Sequence, residues 1–158
     1  MSLGHDNAPK RLLATAVAAG VLSGAPSTLT ALVRGEDPLA ATRAAGTLVP
    51  GRRERPSVVA GVAVHAALTL WWTAVLTTGL RRLHGGVLAG AVGGAAIAAL
   101  DLGILARRYP TVRALPQAPQ WADHLAFGAV VGAATRPSTR RWPGGAGRRG
   151  RCAAPSPR

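Results

Sequence analysis

Two carboxylates and two histidines are the residues of this chain best placed to do chemistry. Asp101 lies five positions before the end of a long apolar run, Asp123 and His124 open another, and His65 interrupts a third. Imidazole changes charge near neutral pH, and an ionised carboxylate in an apolar layer is costly unless it is paired. Such groups brought together at one depth can hold and pass a proton. Two hydroxyls, Ser27 and Thr30, fall at a similar distance from the end of their own run. The candidate polar cluster is therefore Ser27, Thr30, His65, Asp101, Asp123 and His124. The same residues have a plainer use, because buried hydrogen bonds also hold helices together where lipid removes the hydrophobic drive.

Other chemistries lack their residues. There is no HExxH and no clustered histidine spacing, and a lone cysteine, Cys152, excludes an intrachain disulfide and a cysteine-rich metal site. No GxSxG elbow is present for serine hydrolysis. Gly145 to Gly150 reads GAGRRG, a GxGxxG by letter, but no strand pattern precedes it and no helical pattern follows. No metal, no cofactor and no enzymatic activity are expected. The formal charge is +13, yet seven arginines and no acid lie between Arg136 and Arg158. Without a zinc-finger spacing, an RNA-binding signature or a basic helix with interleaved aromatics, nucleic acid is not an expected partner.

The elements that must position the cluster follow from composition. Among 158 residues there are 33 alanines and 20 glycines, and only 4% of residues are aromatic, too little side-chain bulk for an ordinary soluble core. A mean hydropathy of +0.20 coexists with the high charge because the two occupy different segments. Leu12 to Val33 is a run of 22 residues, Val58 to Leu80 of 23 and Leu83 to Ala106 of 24. At about 1.5 Å per residue each spans a hydrocarbon layer of ~30 Å. Pro119 to Thr135 adds 17 residues, at the lower limit of a span. The fold class expected is an all-α, four-span transmembrane helix bundle in the cell membrane, with the lipid bilayer as its first partner.

Ser23, Gly24 and Ala25 would suit a signal-peptide cut, but Pro26 follows it directly and the apolar run exceeds a typical signal core, so a retained helix is expected. In the first loop, Asp37 followed by Pro38 predicts a short interfacial helix over Pro38 to Val49. Residues 1–11 read as an N-terminal tail. Residues 136–158, rich in Arg, Pro and Gly and without periodicity, read as a disordered tail.

Alternating spans bring the end of the first, the start of the second, the end of the third and the start of the fourth to one face, here called side B. All six cluster residues then fall within roughly 10 Å of side B. Gly86, Gly90 and Gly94 form a small-residue stripe, and Asp101, fifteen positions past Gly86, lies about 60° from it. Gly128 and Gly132 form a GxxxG face beneath His124, and Gly61, His65 and Thr69 share a face of the second span. These glycine faces suit helix packing within the chain, a homo-oligomer, or a membrane-protein partner.

The stretches GEDPLAATRAAG (Gly35 to Gly46) and WADHLAFG (Trp121 to Gly128) carry a resemblance over roughly residues 12 to 134. In them the chain resembles a group of small four-helix integral membrane proteins of high-GC actinobacteria. The resemblance implies the four-helix fold and brings no activity, cofactor or site residue with it. The function expected is that of a structural or partner-binding membrane subunit. The alternative is a proton- or ion-coupled small transporter or relay built on the Asp/His cluster.

Overall fold

The computed structural model describes residues 7–136, which contain helices and turns but no strand. The 22 residues 137–158, nearly all of the expected tail, lie outside the described residues. Seven α-helices follow in order: α1 (Ala8–Ser23), α2 (Ala25–Val33), α3 (Ala40–Ala45), α4 (Val58–Arg82), α5 (Val87–Gly103), α6 (Pro110–Arg113) and α7 (Gln117–Thr135). Short 3-10 turns at Gly46–Leu48 and Leu105–Arg108 extend α3 and α5. The first helix begins at Ala8, earlier than the apolar run, with Pro9 in its first turn and Lys10 and Arg11 already helical.

Three segments are long and apolar enough to cross a membrane: Ala8–Val33, Val58–Arg82 and Val87–Arg108. The fourth expected span exists as a helix, α7, but is not among them. Its position accounts for its composition. α7 packs against α1, α2, α4 and α5, so much of its surface meets protein rather than the surroundings. A helix so enclosed needs small and polar contact residues more than an apolar exterior.

Burial runs opposite to that of a soluble protein. The interior is closed by Ala16, Ala19, Ala98, Thr73 and glycines around a small cluster of Leu80, Ile97, Phe127 and Val131. Large apolar side chains point outward along every long helix: Val21 on α1, Val59 and Trp71 on α4, Leu88 and Val92 on α5. Val59 is 82% exposed and Leu88 78%. A water-soluble monomer does not present so continuous an apolar exterior, whereas a lipid-facing one requires it.

The glycine stripes fit into one another. A methyl group built on Gly90 would strike the carbonyl of Gly128, and one on Gly128 the carbonyl of Gly90. Gly94 lies against the carbonyl of His124, and Gly132 against that of Gly86. Four glycines thus let α5 and α7 meet backbone to backbone, with Gly86 supplying a carbonyl at the start of α5. A second close approach joins the first loop to α4, where Gly61 sits under the Thr42 carbonyl and Gly46 under that of Ser57.

Two boundaries differ from expectation. The third apolar run begins at Leu83, but α5 starts at Val87, because Leu83 to Gly86 close α4. His84 takes a left-handed backbone at φ 50°, and the Gly85 amide donates to the Leu80 carbonyl at 2.9 Å. This is the six-to-one bond that ends many helices, here with histidine in the place usually held by glycine. In the first loop the α-helix covers Ala40–Ala45, shorter than Pro38 to Val49. Asp37 does not act as its N-cap: the Asp37 carboxylate accepts the Leu39 amide at 2.9 Å, pairs with Arg43, and leaves Pro38 in the turn.

The two side B loops dock together. Thr47, fully buried, meets the Thr111 hydroxyl at 3.0 Å while donating to the Ala44 carbonyl at 2.6 Å. Arg53 stacks over the Tyr109 ring at 5.4 Å and donates to the Arg108 carbonyl. α3 and α6 consequently form a joint cap over that end of the bundle.

Candidate functional site

The site is built around a break in the first apolar segment. Pro26 has no amide hydrogen and its ring crowds the carbonyl one turn back, so the helix is interrupted just before it. The segment stops as α1 at Ser23, passes Gly24 and restarts as α2. The Ser27 amide, freed from the helical ladder, donates to Asp123 Oδ1 of α7 at 3.0 Å. A carboxylate is well suited there, since the first amides of a helix have no partners of their own and carry partial positive charge. Thr30 turns back onto its own helix and donates to the Pro26 carbonyl at 2.7 Å. That is the ordinary bond of a helical threonine to the preceding turn, and Thr30 does not line the cavity that the other five share.

At the next position along α7, the helix meets α5. His124 Nε2 lies 3.3 Å from Asp101 Oδ2, and His124 Nδ1 lies 2.8 Å from the Gln120 carbonyl. A carbonyl only accepts, so Nδ1 must carry a hydrogen. Nε2 then has one on it only when the ring is cationic. A hydrogen bond between Nε2 and Oδ2 therefore needs one proton, brought either by the imidazolium or by the carboxylic acid. That is the arrangement from which a proton can be taken up or delivered without building a second charge.

Both groups face a cavity of about 390 Å³ that opens to the exterior. Their side chains are 22% and 23% exposed, so the pair is reachable and not sealed in the packing. Asp123 and Ser27 border the same cavity, as does His65, which stands exposed at its margin without a hydrogen bond among the described residues. Trp72, Ile97 and Phe127 supply an apolar floor, and Thr42, Leu48 and Val112 of the capping loops supply part of the roof. Five of the six cluster residues are thus brought to one space. Among the described residues no group of three His, Cys, Asp or Glu side chains is placed to hold a metal ion.

Sequence reasoning missed two residues. Thr73 and Thr77 of α4 have buried hydroxyl oxygens with no hydrogen-bond partner. Read along the helix, they continue the four-residue spacing of Gly61, His65 and Thr69, which is the signal that would have found them. No family model, no curated protein and no solved structure matches this chain.

Proposed function

We propose that the chain is a small multi-pass membrane protein of four spans in which the Asp101–His124 pair takes up and releases a proton at the side B cavity. It acts as a proton relay, or as the coupling site of a small proton-linked carrier. The supporting observation is that the Asp101–His124 contact borders an open cavity, since helix glue has no need of access. α7 serves as the fourth span, sheltered by its neighbours. The resemblance to four-helix actinobacterial membrane proteins agrees with that count, and the cell membrane is the compartment it suits. α3 lies at the membrane surface as part of the side B cap.

The reading as a structural or partner-binding subunit rests on the outward apolar surface. The glycine faces that favoured it are taken up between α5 and α7, so a homo-oligomer would form through larger side chains. Reconstitution separates the two readings. Proteoliposomes holding the protein, given a pH gradient with the membrane potential clamped, should lose the gradient faster than empty liposomes, and Asp101→Asn should abolish the difference. Equal rates with and without the protein would leave the subunit reading in place and remove the relay.

A further inference from the structure

The side B cavity has a counterpart at the other end of the bundle. A second cavity of about 290 Å³ is bordered by Leu12 and Thr15 of α1, Thr77 and Arg81 of α4 and Thr135 of α7. The first cavity reaches Gly20 of α1, Thr69 of α4 and Phe127 of α7. The same three helices therefore wall both spaces, and what separates them is one layer: Ala16, Thr73 and Val131, respectively 2%, 0% and 0% exposed. In that layer the Thr73 hydroxyl oxygen is buried with no partner, and so is that of Thr77 one turn on. A threonine in a helix ordinarily bonds to the carbonyl of the preceding turn, as Thr78 does to Ala74 at 2.8 Å. Two orphaned hydroxyls on one face call for another partner.

Resting on the relay reading above, we propose that Thr69, Thr73 and Thr77 hold a single file of waters that connects the two cavities and conducts protons between the Asp101–His124 pair and the opposite face. The spacing fits. Residues four apart on a helix stand about 6 Å apart along its axis, and one water making two hydrogen bonds of about 2.8 Å spans nearly that distance. One water between each pair of hydroxyls closes the chain from one cavity to the next and satisfies both orphans. The layer at Thr73 is too tightly closed for a hydrated ion, and Arg11 and Arg81 beside the far cavity repel metal cations. Protons passed from oxygen to oxygen are the species the passage suits.

The test uses the full chain in proteoliposomes carrying an internal pH dye. Thr73→Val and Thr77→Val preserve shape and remove the hydroxyl, and each should bring proton flux down to the rate of empty liposomes. Thr73→Ser should keep it. Monodisperse elution of Thr73→Val in detergent establishes that it folds; a transferred water signal on the Thr73 and Thr77 methyl groups in the wild-type protein reports the waters without reference to flux. Wild-type flux that survives both valine changes but not Asp101→Asn overturns the path and leaves the relay standing. Flux lost in the valine variants but kept in Asp101→Asn overturns the relay and keeps the path. A wild-type protein that conducts no faster than empty liposomes overturns both.

Discussion

The Ser27 amide and the Asp123 carboxylate, 96 positions apart, meet at 3.0 Å across the break that Pro26 makes in the first apolar segment. The bond joins α2 to α7 and occupies a donor that the break itself creates. Asp123→Ala should lower stability in detergent by about 1–2 kcal/mol, the cost of leaving that amide without a partner. Asp123→Asn, which keeps an accepting oxygen, should recover most of it. In a Pro26→Ala background the cost of Asp123→Ala should shrink, because a mended helix offers Ser27 the Ser23 carbonyl instead. Chemical unfolding of the four proteins gives the coupling directly.

The Asp101–His124 contact should behave as a unit. Asp101→Leu leaves the His124 ring facing an apolar side chain, and His124→Leu leaves a carboxylate with the desolvation cost of an unpaired charge. The double change removes both orphans, so its loss should be smaller than the two single losses added together. Additive losses in a double-mutant cycle would mean that the two groups do not interact.

The seam between α5 and α7 tolerates no side chain. Gly90→Ala and Gly128→Ala each place a methyl on a facing carbonyl, and the helices must separate to admit it. A loss of about 1–3 kcal/mol is expected from such overpacking. Gly79→Ala is the control, since nothing lies within 4 Å of the added carbon and helix propensity favours it by about 0.5–1 kcal/mol. Opposite shifts in melting temperature check both halves.

His84 pays for a backbone conformation that glycine adopts freely. With φ at 50° it closes α4 in the left-handed region, which costs a residue with a β-carbon roughly 1 kcal/mol. His84→Gly should therefore raise the melting temperature. Gly35, at φ 65° after α2, should show the reverse when changed to alanine.

Membrane orientation should depend on the last 23 residues. Under four spans, the face bearing the termini carries 11 Lys and Arg against 8 on side B, but only 4 against 8 once residues 136–158 are removed. The positive-inside rule then assigns opposite orientations. A topology reporter fused after Arg82 should be read on opposite sides in the full-length chain and in a chain ending at Thr135. The same side in both would show that the tail has no part in the choice.

Depth arithmetic was enough to bring Asp101 and His124 to one level, because helical rise is nearly constant and both lie near helix ends on side B. The glycine stripes were legible for a similar reason: a four-residue spacing leaves one face open to backbone contact. What could not be read depends on long-range contacts. Thr30 has the right depth, yet its hydroxyl bonds back to the Pro26 carbonyl of its own helix. Thr47 and Thr111 meet only because two loops dock, and nothing local to either loop announces the other. Leu83 reads as apolar span although the chain needs it to close α4. Thr73 and Thr77 look like neutral members of an apolar run, and only the burial of their oxygens shows them to be without partners.

The central place of α7 bears on how the molecule is made. It is the last described helix to leave the ribosome, it packs against α1, α2, α4 and α5, and it is not apolar enough to rank with the three candidate spans. If α7 is the fourth span proposed above, it has to enter a groove formed by the earlier helices, at the depth where the backbones of Gly90 and Gly94 can touch its own. A chain ending before Gln117 would leave those bare backbones on α5 without the partner they fit.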